Sequence, residues 1–523
     1  MARALLALPH RRTAVRSVAV AIVAVAAVAL ATAAVAPASA GDGSAAVAIS
    51  GSALVPASCP VADSQVGSEV EPRIEANPMD PKNLIAVWQQ DRSRNGSGSR
   101  AAGVATSFDG GKTWAPALVP GFGCVGTTDD KVGDQWISFG PDGIAYISTL
   151  TVQNDDTGTS VEDPQSVLVV TSGDGGRHWS PPSHVADLAS IDAPTITADP
   201  YRTKTAYVTW SHVEWYANSA GAGGETTTQM FARTDDGGKS WSTPRVIAVT
   251  DLPFQQILNP QILVPRAGTL VSLAVQQEYY YDTAGNAQRC FARQEGDICG
   301  RVTVRSQTST DGGASWSTPV AIASGRLLDE ITDPDANADG QHQRVRSSWG
   351  WYPFSKAQSS DGHVYAAWIN RDLVPKPLDG HKAEIQVADS RDGGRTWLVR
   401  RVMALTSDAW QPTIAVSDRG IIGLTWYDLS SDKVGEGGLS TDVWFASSRD
   451  GGLTWKQRRI GGPFDLRTAA TAGNLSDSGR MFFIGDYSGL TFTDTEFVAG
   501  FSQAQPAATA GPSDIFAVRL PPS

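Results

Sequence analysis

Acidic or polar residues stand at the start of several apolar segments, where they would meet if those segments were neighbouring strands. The residues with this placement are Glu71, Asp134, Asp192, Asn259 and Asp486. Carboxylates gathered in one pocket can bind a sugar or a cation, or transfer a proton. The alternative is that these side chains cap backbone groups at the strand ends. Both interpretations are open on the sequence alone.

A second acidic group has the spacing of a metal-binding loop. Residues 335–340 read Asp-Ala-Asn-Ala-Asp-Gly, which places oxygen ligands at Asp335, Asn337 and Asp339. This spacing matches the first half of a calcium-binding loop, but the twelfth position holds Arg346 instead of the glutamate that completes an EF-hand. A structural Ca²⁺ in a shorter loop and a plain Asp-rich turn both remain open.

The elements that would position such residues are marked by a repeated eight-residue string. Its pattern is Ser or Thr, any residue, Asp, Gly, Gly, two further residues and Trp, and its six copies begin at Ser107, Ser172, Thr234, Ser309, Ser390 and Ser448. The Asp carboxylate can accept bonds from backbone N–H groups, glycine adopts positive φ, and the tryptophan can fold back under the turn. Each string therefore predicts the end of a β-hairpin.

The strings divide the chain into units with one order of elements. Each unit contains short strands with almost no helix signal, and the string follows the third strand, which predicts an all-β fold of the β-propeller type. We count seven four-stranded blades, with six as the alternative if one of the unit starts is not a true blade. The last unit shows only three strands. Residues 41–58 could supply its fourth strand. All the turns would then lie on one face, with the long binding loops on the other.

The N-terminus has the composition of an export signal. Four arginines precede an apolar run rich in Ala and Val, and Ala38-Ser39-Ala40 follows it. This pattern predicts a signal peptide over residues 1–40 and a secreted, extracellular protein, with a retained membrane anchor as the alternative. Residues 41–70 would form a tail or the closing strand, and residues 71–523 the propeller.

The net charge limits the classes of partner that the protein can bind. Without the four N-terminal arginines the chain has 38 basic and 54 acidic residues, a net charge of −16. Such a surface repels nucleic acid and anionic lipid, so we expect neither nucleic acid nor a membrane as partner of the mature form.

Four cysteines are compatible with two disulfides in an exported protein. We favour pairing between near neighbours, Cys59 with Cys124 and Cys290 with Cys299. The other two connectivities remain open, and the spacing gives no zinc motif.

The repeated string resembles the Asp-box, or bacterial neuraminidase repeat, of the sialidase superfamily, and the resemblance covers nearly the whole chain after residue 70. It implies a glycan or glycoconjugate as partner and exo-acting hydrolysis of sialic-acid-type or other glycans, with no required cofactor. We expect a monomer. Sialidases of this superfamily have six blades, which is why six remains the alternative.

The resemblance also assigns roles to individual residues. Arg73, in Glu71-Pro72-Arg73-Ile74, resembles the first arginine that holds the substrate carboxylate, although the family's following proline is absent. Tyr487 resembles the family's tyrosine nucleophile, an exception to the usual carboxylate pair. Asp91-Arg92 stands where the family often has an acidic residue and an arginine. Together with the acids at the strand starts, the resemblance gives Tyr487, Asp91 and Asp134 as predicted catalytic residues. The predicted substrate-binding residues are Arg73, Arg92, Glu71 and Asp486.

The chain departs from the family pattern at two places. Gln261 stands where the family has the glutamate partner of the tyrosine, and Gln276-Gln277 stands where a second arginine is expected. Arg344 or Arg346 could substitute for that arginine. Without a base, a tyrosine with an ordinary pKa is a poor nucleophile. The alternative function is thus a non-catalytic propeller that binds a glycan or a protein.

Overall fold

The computed structural model describes most of the chain after the predicted export signal. The described residues are 45–51, 54–59, 64–94, 98–125, 131–152, 164–217, 223–250, 255–279, 298–335, 342–349, 351, 354–373, 380–472, 481–505 and 512–522. They belong to one compact unit, Ala38–Ser523. The predicted signal peptide lies outside the described residues. No helix within them is long and apolar enough to cross a membrane.

Antiparallel blades of four strands account for nearly all of this unit, and the first two blades are joined into one eight-stranded sheet by the pairing of Ser99 with Val132. The first strand, β1, covers Val47–Ala48. Blade 1 comprises β2 (Glu69–Asn77), β3 (Asp80–Arg92), β4 (Ser99–Ser107) and β5 (Ala115–Leu118); blade 2 comprises β6 (Lys131–Phe139), β7 (Ala145–Val152), β8 (Pro164–Ser172) and β9 (Ser183–Ala189). Blade 3 comprises β10 (Ile191–Ala198), β11 (Ala206–Ala217), β12 (Gly223–Thr234) and β13 (Arg245–Val249); blade 4 comprises β14 (Gln255–Arg266), β15 (Thr269–Tyr279), β16 (Ile298–Ser309) and β17 (Val320–Leu328).

The remaining blades have the same order. Blade 5 comprises β20 (Ser355–Gln358), β21 (Val364–Asn370), β22 (Ala383–Ser390) and β23 (Leu398–Leu405); blade 6 comprises β24 (Ala409–Val416), β25 (Ile422–Asp428), β26 (Ser440–Ser448) and β27 (Lys456–Asp465). Blade 7 comprises β30 (Gly489–Phe492), β31 (Phe497–Ala504), β32 (Ser513–Leu520) and β1. The fold is the predicted all-β propeller, and the described residues form seven blades rather than six.

The first strands of the blades contact one another in a closed ring: β2, β6, β10, β14, β20, β24, β30 and again β2. Seven hydrophobic clusters fill the seven interfaces between successive blades. Four second strands each contribute a fully buried tryptophan, namely Trp88, Trp210, Trp368 and Trp426. Burial of these large rings supplies much of the packing between blades.

Blade 7 is closed by the N-terminal segment. Val47 and Ala48 pair antiparallel with Ala517 and Phe516 of β32. The outermost strand therefore comes from one end of the chain and its three partners from the other. This explains why the last unit has no Ser/Thr-x-Asp-Gly-Gly string, because its third and fourth strands are not joined by a turn.

The six strings all join a third strand to a fourth and therefore lie on one face, which we call the turn face. In the first turn, Asp109 Oδ1 accepts from the backbone N–H groups of Lys112 and Thr113 at 3.0 and 2.9 Å. The Ser107 hydroxyl donates to the same carboxylate and accepts from Gly111 N. Each turn thus satisfies its own polar groups, as the sequence predicts.

A small mixed sheet links the segments that lead into blades 5 and 7. It contains β18 (Ile331–Thr332), β19 (Arg344–Val345), β28 (Thr471–Ala472) and β29 (Met481–Phe482), with β19 parallel to β29. Two 3-10 helices, Gly123–Val125 and Leu466–Thr468, complete the described elements. The parallel pairing brings distant parts of the chain together beside the ring.

The disulfide predicted between Cys59 and Cys124 is confirmed, with Cα atoms 5.5 Å apart. It ties the N-terminal segment to the end of blade 1. The predicted Cys290–Cys299 pair cannot be followed, because Cys290 and the side chain of Cys299 lie outside the described residues.

Candidate functional site

Five inner strands carry a β-bulge at the same level of the ring, near the end opposite the turn face. A residue with positive φ occupies each bulge: Glu71 (60°), Asp134 (54°), Ala193 (48°), Asn259 (49°) and Gln411 (55°). Positive φ at a non-glycine residue costs about 1–3 kcal/mol and persists where the surrounding structure requires it. The repeated strain marks this level of the ring as a candidate site.

Charged side chains from several blades meet at this level, in a cluster that we call the channel mouth. It consists of Glu71, Arg92, Asp134, Asp192, Arg346 and Asp486. The Glu71 carboxylate accepts from the backbone N–H of Asp486 at 3.3 Å and from the Gln89 amide. Asp134 Oδ2 accepts from Ala193 N at 3.1 Å. The bulges of blades 1, 2 and 3 and the segment before blade 7 therefore position the four carboxyl groups.

Solvent reaches this cluster although protein surrounds it. Asp192 is exposed, Asp134 and Asp486 are partly exposed, and Glu71 is buried. Burial nevertheless raises the pKa of Asp192, and the neighbouring Asp486 raises it further. Access to solvent combined with enclosure is the property of a concave site.

The carboxyl groups of the mouth disfavour one another's ionisation. Burial, then Asp192 and Asp486, raise the pKa of Asp134 to about 7, while Arg92 opposes this. Burial, then Asp486 and Asp134, also raise the pKa of Glu71 well above its ordinary value. Carboxyl groups with raised pKa values hold a proton at neutral pH and can act as general acids.

Two arginines face these acids, and both approach the Phe483 ring. The guanidinium carbons of Arg92 and Arg346 lie 5.2 and 5.1 Å from its centroid. Arg92 is buried and donates to Gly98 O at 2.7 Å, whereas the Arg346 side chain is 27% exposed, with its Nε 3.8 Å from Asp486 Oδ1. Of these two cations, Arg346 is the one that solvent, and hence a ligand, can reach.

Tyr487 lies directly below the carboxyl groups. Its hydroxyl donates to Gln135 O at 3.2 Å, and its ring packs edge-on against Trp136, 5.1 Å between centroids. Arg73 stacks on the same Trp136 ring, with its guanidinium carbon 3.9 Å from the ring centroid. Tyr487, Trp136 and Arg73 thus form a layer across the channel, and Arg73 lies below the mouth.

Burial, followed by Glu71 and Asp134, raises the pKa of Tyr487 well above its ordinary value. A phenol in this environment keeps its proton, which does not favour its use as a nucleophile. The position of the family's glutamate partner holds Gln261, whose amide donates to Asn259 Oδ1 at 3.1 Å.

Asp91 is placed apart from the mouth. Its Oδ1 accepts from Gly67 N at 2.9 Å, and its Oδ2 pairs with Arg100 at 3.1 Å, with the side chain buried. Both oxygens are therefore used to hold the segment before blade 1. The structure brings together Glu71, Arg92, Asp134 and Asp486 from the predicted set, but it does not bring Asp91 to them.

The predicted calcium loop is described only at its first residue, because Asn337 and Asp339 lie outside the described residues. Asp335 accepts from Gly435 N at 3.0 Å and pairs with Arg467 at 3.1 Å. Arg467 also pairs with Asp333 at 2.6 Å. A guanidinium thus occupies the place of a cation beside these carboxylates, and the described residues contain no group of three or more metal-ligating side chains.

The sequence predicts Asp192 only as one of the acids that meet at the strand starts, and Arg346 only as one possible substitute for the missing arginine; it gives neither residue a catalytic or substrate-binding role. Arg346 reaches the mouth because Arg346 N donates to Phe482 O at 3.0 Å, across the pairing of β19 with β29. One signal was available for the bulges. Proline follows the positive-φ residue at four of the five, at positions 72, 194, 260 and 412, and proline suits a place where the ladder lacks an N–H.

Neither a protein-family model nor a curated protein matches this chain. Solved structures that match include sialidases and arabinan-cleaving enzymes. A Hadza microbial sialidase, Hz136, is 14% identical with a TM-score of 0.37, over 68% of this chain and 63% of that one. An α-L-arabinanase of Penicillium chrysogenum is 12% identical with a TM-score of 0.43, over 91% and 98%.

The Trypanosoma rangeli sialidase in complex with sialic acid is 13% identical with a TM-score of 0.42, over 79% of this chain and 60% of that one. This chain therefore spans less than two thirds of the length of both sialidases. Similarities at these values say nothing about the substrate or the catalytic residues.

Proposed function

We propose that the protein is a secreted, monomeric glycoside hydrolase that acts on a glycan with an acidic group, with the channel mouth as its active site. The observation that carries this proposal is the convergence of Asp134, Asp192 and Asp486 with Glu71 in one solvent-accessible cluster beside Arg346. Glycoside hydrolysis requires two carboxyl groups in different protonation states, and this cluster supplies candidates for both.

Asp134 is the candidate general acid. Its pKa of about 7 means that about half of the molecules carry this proton at pH 7, and the protonated form can give it to the glycosidic oxygen as the bond breaks. Asp486, which accepts from the Ser347 hydroxyl beside Arg346, is the candidate base or nucleophile. Arg346 is the candidate anchor for the acidic group, because a planar guanidinium binds carboxylates through two parallel hydrogen bonds.

The test compares aryl glycosides that do and do not bear a carboxylate, such as a fluorogenic sialoside, a glucuronide and an α-L-arabinofuranoside. We expect turnover of an acidic substrate and a fall of about 10²–10⁴-fold in kcat for Asp134→Asn. That loss should shrink with a better leaving group, which needs less acid assistance. Arg346→Met should raise KM for the acidic substrate, whereas exposed Asp80→Asn should change neither constant.

Rates should fall as the pH rises above about 7, because Asp134 then loses the proton it must donate. Turnover that is unchanged in both Asp134→Asn and Asp486→Asn would contradict the proposed active site.

A second candidate is a non-catalytic propeller that binds acidic glycans through the same mouth. It is favoured by Gln261, a buried amide at the place of the family's glutamate. Saturable binding of an acidic glycan that Arg346→Met abolishes, without turnover of any glycoside, would establish this function and exclude the hydrolase.

A further inference from the structure

The channel continues below the layer of Tyr487, Trp136 and Arg73 into a second cavity, which we call the turn-side cavity. It has a volume of about 370 Å³ and is lined by the inner strands of all seven blades. The segments that follow β2, β24 and β30 form its rim, on the turn face. This cavity is distinct from the channel mouth, because none of the mouth carboxyl groups lines it.

The residues of β2 explain the polarity of this cavity. Side chains alternate between the two sides of a strand, so Arg73, Glu75 and Asn77 face the channel while Ile74 is buried between blades. Lys356 enters the same space from β20 of blade 5. Blades 1 and 5 therefore place two cations at the inner end of one cavity.

Neither cation is neutralised by an ion pair. Arg73 and Lys356 have no carboxylate within 4.0 Å among the described residues. Arg73 donates through Nη1 to Ser488 O at 2.9 Å, but its buried Nε has no partner among the described residues, and the residue is 9% exposed. A buried guanidinium nitrogen in this state is costly unless something accepts its proton.

Lys356 likewise uses its ammonium group incompletely. Its Nζ donates to Ile262 O at 2.8 Å and to the Thr197 hydroxyl at 3.3 Å. An ammonium group has three donors, so one remains for the cavity.

One carboxylate interacts with both cations from β2. Glu75 favours the charged forms of Arg73 and Lys356, and it accepts from the Thr491 hydroxyl at 3.4 Å. Asp418 and Asp494 also line the cavity, but they are exposed at its rim, where water screens them. When Lys356 is protonated, the inner end thus holds two cations against one carboxylate, an excess of positive charge that an anion would neutralise.

We propose that the turn-side cavity is a binding site for a small anion, a carboxylate or an inorganic oxyanion, held between Arg73 and Lys356. Arg73 would donate through the guanidinium and Lys356 through its free ammonium hydrogen, which are charge-assisted bonds of the strong class. The site lies on the opposite side of the Tyr487 layer from the mouth, so it does not depend on the proposed hydrolysis.

Anion binding should be coupled to protonation of Lys356. Burial, then Arg73, lower the pKa of Lys356 to about 7, with Glu75 opposing. A bound anion favours the ammonium form, so affinity should rise as the pH falls through about 7. In the protein without a bound anion, the Lys356 amine is about half protonated at pH 7. Binding should therefore take up about half a proton per anion.

The experiment is calorimetric titration of the purified protein with acetate and, separately, with inorganic phosphate, at pH 7 in two buffers of different ionisation enthalpy. We expect saturable binding and a heat that differs between the buffers by the proton uptake. Lys356→Met should weaken binding about tenfold or more and abolish the proton uptake. Glu75→Gln should tighten binding, and Lys239→Met, in an exposed turn, should match the wild type.

Preference for acetate would identify an organic carboxylate as the ligand class, and preference for phosphate an inorganic oxyanion. If neither anion binds saturably, or if Lys356→Met and Lys239→Met behave alike while Glu75→Gln has no effect, the site does not exist. The Glu75 variant decides the matter if Lys356→Met does not fold. Activity on glycosides does not enter this test, so the two proposals can fail separately.

Discussion

The two faces of the ring adopt positive φ with different residues. On the turn face, glycines take these angles, as Gly110 does at 78° and Gly313 at 87°. At the channel mouth, Glu71 and Asp134 take them at 60° and 54°, where a side chain makes the conformation costly. The turns of the six strings therefore avoid this strain, and the mouth retains it at residues that include the charged Glu71 and Asp134.

Aspartate shows the same contrast. In the third turn, Asp236 Oδ1 accepts from Lys239 N and Ser240 N at 3.0 Å, and its Oδ2 accepts from the Ser240 hydroxyl at 2.6 Å. The Ser240 hydroxyl is the main cause that lowers the pKa of Asp236 to about 2. At the mouth, burial and neighbouring acids raise the pKa of Asp134 to about 7. The turn therefore stabilises the ionised form of its aspartate, whereas the mouth stabilises the neutral form.

This difference indicates that the turn face stabilises the fold and that the channel mouth is suited to function. Turn residues satisfy each other locally, so their substitution should lower stability and leave binding unchanged. Mouth residues carry strain and mutual repulsion that only a proton or a ligand relieves, so some substitutions there should raise stability at the expense of function.

The largest loss of stability is expected for Gly313→Ala on the turn face. A Cβ atom there would lie 2.3 Å from a ring carbon of Phe231 in the preceding blade, at a φ of 87°. Strain and overpacking together should lower the free energy of unfolding by about 2–4 kcal/mol in urea titrations. Gly110→Ala is the control, because nothing lies within 4 Å of its Cβ; equal losses in both variants would contradict the packing argument.

A smaller loss is expected for Asp236→Asn. The variant loses charge-assisted bonds to Lys239 N and to Ser240, which should lower the free energy of unfolding by about 1–2 kcal/mol at pH 7. Because the folded-state pKa of Asp236 is depressed to about 2, its stabilisation is present above the unfolded-state pKa. The difference between variant and wild type should therefore shrink as the pH falls from about 4 toward 2. Asp80→Asn, exposed with one bond at 3.2 Å, is the control.

An effect of opposite sign is expected for Gln411→Gly in the bulge of β24. Gln411 has a φ of 55°, and neither polar atom of its buried amide has a partner within the part of the chain that the structure describes. Glycine relieves both costs, so the free energy of unfolding should rise by about 1 kcal/mol. Gln358→Gly in β20 is the control, because that amide accepts from Val264 N at 2.8 Å, and its loss should be destabilising. A destabilised Gln411→Gly would mean that the bulge is not strained.

The smallest effect is expected for Tyr487→Phe. Its hydroxyl donates to a backbone carbonyl, and hydrolysis by the carboxyl pair does not use it, so kcat should change by less than about tenfold. A fall of about a thousandfold or more would instead make Tyr487 the nucleophile, as the family resemblance implies, and would overturn the roles proposed for Asp134 and Asp486.

Local features of the fold were predictable, whereas the site was predictable only in part. The turns follow from the string alone, because the bonds of the Asp carboxylate form within five residues, as between Asp236 and Ser240. The acids at the strand starts could be found from the repeat, since equivalent positions in a ring meet at one level. Asp91 and Arg92 were not predictable in this way. Their side chains are adjacent in sequence but belong to different hydrogen-bond networks, and the sequence does not say which of them faces the channel.

Long-range pairing explains what the sequence could not place. Arg346 reaches Asp486 only through the pairing of β19 with β29, more than a hundred residues apart. Likewise, the β-bulge in β2 shifts which residues of the strand face the channel and at what level. This shift places Arg73 below the mouth and beside Lys356. Neither relation has a local signature.

The most direct test of the contrast between the faces is the melting temperature of the wild type and of Asp134→Asn from pH 4 to pH 9. The folded-state pKa of about 7 lies above the unfolded-state value, so the wild type should lose stability relative to the variant as the pH rises from about 4 to 7. We predict that Asp134→Asn melts higher at pH 8, with a gap that closes toward pH 4. A melting temperature of Asp134→Asn at pH 8 that equals or lies below that of the wild type would contradict the account. The mouth would then accommodate an ionised aspartate without loss of stability, as the turns do.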